Sequence, residues 1–504
     1  MLKANSAGEG TPLLEIPTAS QRVKQNRGNT GGGFHSSKLN AGGSSLSGSR
    51  VSISSLGGGG GVVDPEEKYK FGVQEIIILC VNTMNGPGLL ALPKTLAECG
   101  LVPGIIALAV MAWVTTRTCY ILAESIHATK IATFDFEMEL EFTDLMRIHF
   151  GPVWETVALI MLTLTLGSLA IAQITVSAQA LDAMAIALTG RSFAVRYYPA
   201  FEVISSSSAS LQPFGVNQSL VSVGFVVAMI ICVGLGLLDL TANTLPQYIS
   251  FSLLACFVLS GVLHILPITM DVIAASDGDI TGNASYFGSD PSSIIGVAVF
   301  NFSIVIAVPS LFADCKEGAR FASATTVAIW AICLMYILIG GLGAVSFGSE
   351  SDNIMDPMLR SKSLLGMMSS FAFVWAIIPP LPIYTILISR NLEQVTQRPA
   401  LSKILGVFVP WSLALFLYMS EAFGEFLVWT SILVLGFTNY TMPLMIATKS
   451  FSGPPSKSGV GSFRRFVEII KAAWADDAGR ESLVLNLAVT LVLFFVIYLN
   501  VCKL

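Results

Sequence analysis

Charge is what this sequence has least of. Only 12% of its 504 residues are Asp, Glu, Lys or Arg, about half the share near 25% that soluble domains carry. With 53% hydrophobic residues and a mean hydropathy of +0.71, that scarcity excludes a large soluble enzyme. It points to a multi-pass membrane protein whose main partner is the lipid bilayer. Histidine is also rare, and the four present, at positions 35, 127, 149 and 264, are too dispersed to form a clustered metal site. The eight cysteines include no CxxC or metal-like spacing, so they read as packing residues and no metal or cofactor is expected. The net charge of −5 comes with no basic surface, which excludes nucleic acid as a partner. Rings of like charge and a repeated filter sequence are missing too, which argues against a channel.

Residues 1–66 form a separate regime. Gly31–Gly33, Gly42–Ser49 and Gly57–Gly61 are Gly/Ser-rich and poor in aromatics, a composition that cannot bury a core. The expectation is a disordered tail ahead of a transmembrane domain over 67–504. The tail has no apolar run of the signal-peptide kind. It does carry Glu9, Leu13 and Leu14 in the spacing of an acidic dileucine signal, which resembles those read by sorting adaptors on the way to endosomes, lysosomes and vacuoles.

What is abundant is apolar stretches long enough to cross a bilayer, which needs about 20 residues. After a broken first span they run Val102–Ile126, Val153–Leu188, Ser219–Leu238, Leu245–Leu266, Ser293–Ala313, Thr325–Phe347, Leu364–Ile388, Ile404–Met419, Phe426–Ala447 and Leu483–Val501. That makes about eleven. With the amino-terminus in the cytosol, 21 Lys/Arg fall on that side and five on the other. The bias orients the chain amino-terminus in and carboxy-terminus out. The sequons at Asn283 and Asn217 then lie outside the cytosol and are candidate glycosylation sites, whereas those at Asn301 and Asn439 fall inside spans.

The first span, Phe71 to Pro93, contains Asn85-Gly86-Pro87-Gly88 between two apolar halves. Two glycines and a proline remove helix propensity and a backbone donor. Two readings are open: a simple proline kink, or freed backbone lining a cavity near the bilayer midplane, with amides at the start of the second half-helix suited to an anion. Five spans later Ile294–Asp314 is interrupted in turn by Asn301, Ser303 and Pro309. Two interruptions in corresponding spans favour a transport site built on an inverted repeat.

The motif Asn85-Gly-Pro-Gly-Leu-Leu-Ala-Leu-Pro93 resembles the first span of the amino acid/auxin permeases, eukaryotic amino acid transporters of the LeuT-type fold. Ala344-Val-Ser-Phe-Gly348 with Asp352-Asn-Ile-Met355, and Pro382 to Glu393, resemble two later segments of that family. Asn85 and Pro87 depart from the family's Ile and Ala. The resemblance implies an all-α membrane protein with a 5+5 inverted repeat. Repeat one would cover about 71–266 and repeat two about 293–447, with broken helices one and six and an extra last helix at about 483–501. It implies an amino acid substrate whose carboxylate sits on the amides of Gly86 and Gly88 and whose ammonium meets carbonyls of Phe300, Asn301 and Ser303.

Asn82, Thr83 and Asn85 could add side-chain hydrogen bonds to a substrate, or join helices to one another. Glu75 is a candidate proton-coupling residue, or a side chain that snorkels to the interface. Arg117 and Glu124, seven apart, share a helix face but are too distant for a direct pair. LeuT-type sodium sites draw hydroxyl ligands from the middle of the eighth span, and here Ala376–Leu381 has no Ser or Thr. The proton is therefore the expected coupling ion. A sodium-coupled symporter and an amino acid sensor with little transport are the alternatives. The dileucine motif predicts residence on a lysosomal or vacuolar membrane rather than the plasma membrane. Changing Leu13 and Leu14 to Ala should then move a tagged protein to the cell surface, as scored by microscopy; an unchanged distribution would show the motif to be idle.

Overall fold

The computed structural model describes residues 71–133, 139–215, 218–276, 279, 282–290, 293–316, 320–349, 352–418, 429–451, 480–489 and 491. The tail motif of Glu9, Leu13 and Leu14 and the sequon at Asn217 lie outside them, as does most of the expected last span.

The first span is two helices, α1 (Val73–Met84) and α2 (Gly88–Cys99), bent by 60° at the Asn85–Pro87 break. α3 (Leu101–Thr133) returns across the membrane, α4 (Phe142–Phe150) is short, and α5 (Pro152–Thr189) is the longest helix at 38 residues. Then follow α6 (Val223–Gly236) and α7 (Thr244–Ala275). The second interrupted span is α8 (Ser293–Asn301), a 3₁₀ turn over Val305–Ala307, and α9 (Val308–Ala313). α10 (Phe321–Phe347) and α11 (Met355–Arg360) lead to α12 (Leu364–Ile377) and α13 (Leu381–Thr396), and then to α14 (Pro399–Leu417). Beyond these, Thr430–Leu435 and Phe437–Thr441 wind as wide π-helical turns before α15 (Met442–Phe451). Seven described spans pass as membrane-crossing by length and apolarity, and the bent first pair makes eight.

Two expectations need correction. The described residues are not all helical: β1 (Ser192–Tyr198) pairs antiparallel with β2 (Glu202–Ser206) and β3 (Ser219–Ser222), in the order β2-β1-β3. This segment between the third and fourth spans is rich in β-branched and aromatic residues, which suit a pleated surface. As a result the fourth span begins at Val223, because Ser219–Ser222 is strand. The eighth span runs on to Thr396 as one span, with its helix interrupted over Ile378–Pro380, where two successive prolines lack an N–H.

Asp182, near the end of α5, ties this sheet to the helices. Its Oδ1 accepts from Ser192 Oγ at 2.7 Å and from Gly224 N at 2.9 Å. Its Oδ2 accepts from Tyr418 OH at 2.8 Å, and that phenol also meets Ser222 Oγ at 2.8 Å. Gly224 must be glycine for α6 to come this close, since a Cβ there would stand 2.8 Å from the Asp182 carboxyl carbon. Arg117 also finds a partner that spacing could not reveal: it pairs with Glu481 from the last described helix rather than with Glu124.

The two ends of the broken spans are latched. At the Phe71 end, Phe71 N donates to Asp314 O at 3.1 Å and Lys316 N to Phe71 O at 2.9 Å. Arg390 of α13 pairs with Asp314 at 2.9 Å, and Ser310 Oγ donates to the buried Glu141 at 2.6 Å. Burial pushes the Glu141 carboxyl up from its ordinary value, against the pull of Arg390 and Ser310. At the Cys99 end, Lys94 Nζ meets Asp352 Oδ1 at 2.5 Å and Ile354 N donates to Leu90 O at 3.2 Å.

A buried carboxylate that loses a donor keeps its full desolvation cost. Tyr418→Phe should therefore destabilise the protein by roughly 1–3 kcal/mol, seen as an earlier thermal transition in detergent. An unshifted transition would show that Asp182 does not depend on this bond.

Candidate functional site

Breaking a helix inside a membrane frees carbonyls and amides, and these must find partners. At the first break the carbonyls of Thr83 and Met84 do so through two buried tyrosines. Tyr384 OH of α13 donates to Thr83 O at 2.6 Å, and Tyr336 OH of α10 donates to Met84 O. The same Tyr336 hydroxyl lies 3.4 Å from Asn301 O, so one phenol touches both interrupted spans. At the second break, Asn439 Oδ1 accepts from Ile306 N at 3.4 Å, bringing the π-helical segment against the 3₁₀ turn. Asn439, a sequon inside a span, thus has a backbone partner at the second break.

The diproline break is closed in the same manner. Ala376 O accepts from Ser250 Oγ at 2.6 Å, Ile377 O from Gln173 Nε2 at 2.6 Å, Ile378 O from Cys232 Sγ at 3.6 Å and Pro379 O from Gln247 Nε2 at 2.7 Å. Four consecutive carbonyls are capped by side chains from α5, α6 and α7.

Where the breaks meet, Thr83, Met84, Gly86, Pro87, Leu169, Gln173, Phe300, Asn301, Ser303 and Tyr384 surround a cavity. The space is about 10 Å³, on the order of one water molecule, so an amino acid can enter only after the walls part. Five of the eight sequence-derived binding candidates line it: Thr83, Gly86, Phe300, Asn301 and Ser303. Asn82 instead faces α7, its Nδ2 donating to Gln247 O at 2.8 Å and Gln247 Oε1 at 2.9 Å. Asn85 is fully buried beside the cavity with neither side-chain polar atom paired. Gly88 lies against the Asn301 carboxamide, where a Cβ would come within 2.7 Å of Asn301 Cγ. The close approach that demands glycine there is therefore made by a neighbouring side chain of the protein itself.

Among the hydrogen bonds of the described residues, none uses the N–H of Gly86 or Gly88. Both polar atoms of the Asn301 carboxamide are unpaired as well, as is Gln173 Oε1. Apart from the Tyr384 phenol, no lining side chain is ionisable. The cavity thus offers backbone donors and neutral carboxamides in a dry setting, which suits a dipolar molecule without net charge.

Glu75 sits away from this cavity at the start of α1. It accepts from Gly72 N at 3.0 Å as a helix cap and from Tyr248 OH at 3.0 Å. Asn283 Nδ2 donates one of its two hydrogens to Ser346 O at 2.7 Å. Gln173, Tyr336, Tyr384 and Gln247 were not singled out from sequence, although each is a polar group inside an apolar stretch, the one signal available.

The contact between Gly88 and Asn301 makes a prediction. Gly88→Ala should lower stability by roughly 1–3 kcal/mol through overpacking, and adding Asn301→Ala should recover part of the loss. Strictly additive thermal shifts in the double-mutant cycle would show that the two positions are independent.

Comparison with known proteins bears on these features. No curated protein matches the chain. Among solved structures it is similar to MHP1, a nucleobase-cation-symport-1 family transporter, in a closed conformation with bromovinylhydantoin bound. The TM-score is 0.56 at 13% identity, over 86% of this chain and 93% of that one. At such identity the likeness concerns the fold, which is that of a LeuT-type transporter. The family model described as transmembrane amino acid transporter protein matches residues 70–499, a range that takes in both interrupted spans and the cavity between them. The chain therefore belongs to the transmembrane amino acid transporter family, and it is a transporter and not an enzyme.

Proposed function

We propose that the protein is a secondary active amino acid transporter, driven by protons and working by alternating access around the cavity between its two interrupted spans. The observation that carries this reading is the meeting of Gly86 and Gly88, with unused amides, and Asn301, with an unused carboxamide, in one buried place. The substrate carboxylate would take the Gly86 and Gly88 N–H groups at the positive start of α2. Carbonyls around Phe300–Ser303 would take the ammonium.

Latches at both ends of the broken spans support alternating access. The Phe71–Asp314–Arg390 cluster would open on one side and the Lys94–Asp352 pair on the other, each in turn exposing the cavity. Both are hydrogen-bonded contacts, which break and re-form at a modest net cost of about 1 kcal/mol per bond.

The eighth span supports the proton over sodium. A hard cation needs several oxygen ligands; Ala376–Leu381 supplies no hydroxyl, and each carbonyl from Ala376 to Pro379 already accepts from a side-chain donor. Glu75 is the proposed proton carrier. Its carboxylate, on the first half-helix and bonded to Tyr248 of α7, links two elements that would move apart. The tail would direct the protein to a lysosomal or vacuolar membrane, with the amino-terminus cytosolic.

Reconstituted vesicles test the reading. Uptake of labelled amino acid should persist when sodium is replaced by choline and stop when the pH gradient is collapsed. The opposite pattern would reject proton coupling. Binding without uptake under any gradient would identify a sensor.

A further inference from the structure

Gln173 lies in the middle of α5 and is 1% exposed. Its two amide atoms serve different places. Nε2 donates to Ile377 O at the diproline break, at 2.6 Å. This bond fixes the orientation of the amide, because a carbonyl accepts only from the nitrogen, so Oε1 is the atom facing the other way. Oε1 has no hydrogen-bond partner. It faces the cavity wall, 3.3 Å from where a Cβ on Gly86 would lie.

A buried acceptor without a donor calls for one. The unused N–H of Gly86, on the same cavity, calls for an acceptor, as does that of Gly88 against Asn301. An α-amino acid carries an anionic acceptor and a cationic donor on one carbon, so its head satisfies both demands at once. Its side chain then meets Leu169, Met84, Phe300 and Tyr384, where a charge would have no counter-charge.

We propose that Gln173 Oε1 joins the carbonyls around Phe300–Ser303 in accepting the α-ammonium of an amino acid with an uncharged side chain. Through Nε2 and Ile377 O the same carboxamide ties occupancy of the site to the break between α12 and α13. This rests on the amino acid transport reading above. Movement of the Gln173 amide toward an ammonium draws on its bond to Ile377 O, and α13 in turn holds Thr83 O through Tyr384. The substrate would thus act on the eighth and first spans through one side chain.

The test compares binding of L-alanine and L-lactate to purified protein in detergent. The two differ in having an ammonium or a hydroxyl on the same carbon. L-lysine and L-glutamate report on side-chain charge. Wild-type protein should prefer L-alanine to each of the other three by about tenfold or more, the size of one charge-assisted hydrogen bond or one uncompensated charge. Gln173→Met, similar in bulk, should weaken L-alanine by about tenfold and leave L-lactate nearly unchanged, so that the preference collapses. Ser250→Ala removes the neighbouring carbonyl cap without touching the cavity and should retain it.

An unchanged preference in Gln173→Met, or an equal collapse in Ser250→Ala, would overturn the assignment and leave Gln173 a mere cap. Wild-type binding of L-lysine or L-glutamate as tight as L-alanine would overturn the uncharged-side-chain part. Wild-type protein that binds none of the three amino acids would overturn the transport reading and the assignment with it. If Gln173→Met does not yield monodisperse protein, Gln173→Asn, too short to span both the cavity and Ile377 O, gives the same readout.

Discussion

A backbone polar group without a partner costs several kcal/mol in hydrocarbon, and the described residues of this protein interrupt their membrane helices in three places. Everything at its centre answers that cost. Tyr384 and Tyr336 cap Thr83 and Met84, while Ser250, Gln173, Cys232 and Gln247 cap four successive carbonyls from Ala376 to Pro379. Asn439 accepts from Ile306 N. These caps come from α5, α6, α7, α10, α13 and the π-helical segment, so the three breaks cannot be understood as local features. Each holds because a distant part of the chain supplies a donor or acceptor to it.

The same constraint separates what is structural from what is available to a ligand. Groups that have partners hold the breaks open against collapse into continuous helix. Of the buried groups that lack them, several gather at the cavity: Gly86 N–H, the Asn301 carboxamide and Gln173 Oε1, with the Gly88 N–H and the Asn85 carboxamide next to them. In the amino acid transport proposed for this member of a transporter family, these unpaired groups would meet the head of a zwitterion. The small volume they enclose and the latches at both ends describe a closed arrangement. Relaxing either latch would free one end of a bent span whose two halves are already hinged at Gly86–Pro87.

Local sequence chemistry determined a good deal of this. The scarcity of charge and the length of the apolar runs require a multi-pass membrane protein. The Asn85-Gly-Pro-Gly motif requires a break, because no helix tolerates two glycines and a proline there without loss of backbone bonds. The resemblance of these segments to a transporter family named the binding candidates, five of which line the cavity. Reading the spans and the break rests on helix propensity and membrane length, which are properties of consecutive residues.

What only the tertiary structure decided are matters of partnership across the chain. Gln173 and Ile377 are 204 positions apart, Tyr384 and Thr83 are 301 apart, and Arg117 and Glu481 are 364 apart. No periodicity in either segment specifies such a pair. The sheet between the third and fourth spans escaped notice because its strands are short and sit between strong helical signals. The diproline in the eighth span removes two backbone donors, and the carbonyls from Ala376 to Pro379 take side-chain donors from three other helices. Sequence determines where a backbone must break, because that depends on residues in contact along the chain. Which side chain closes the break depends on packing of helices far apart in sequence, and only the folded arrangement fixes it.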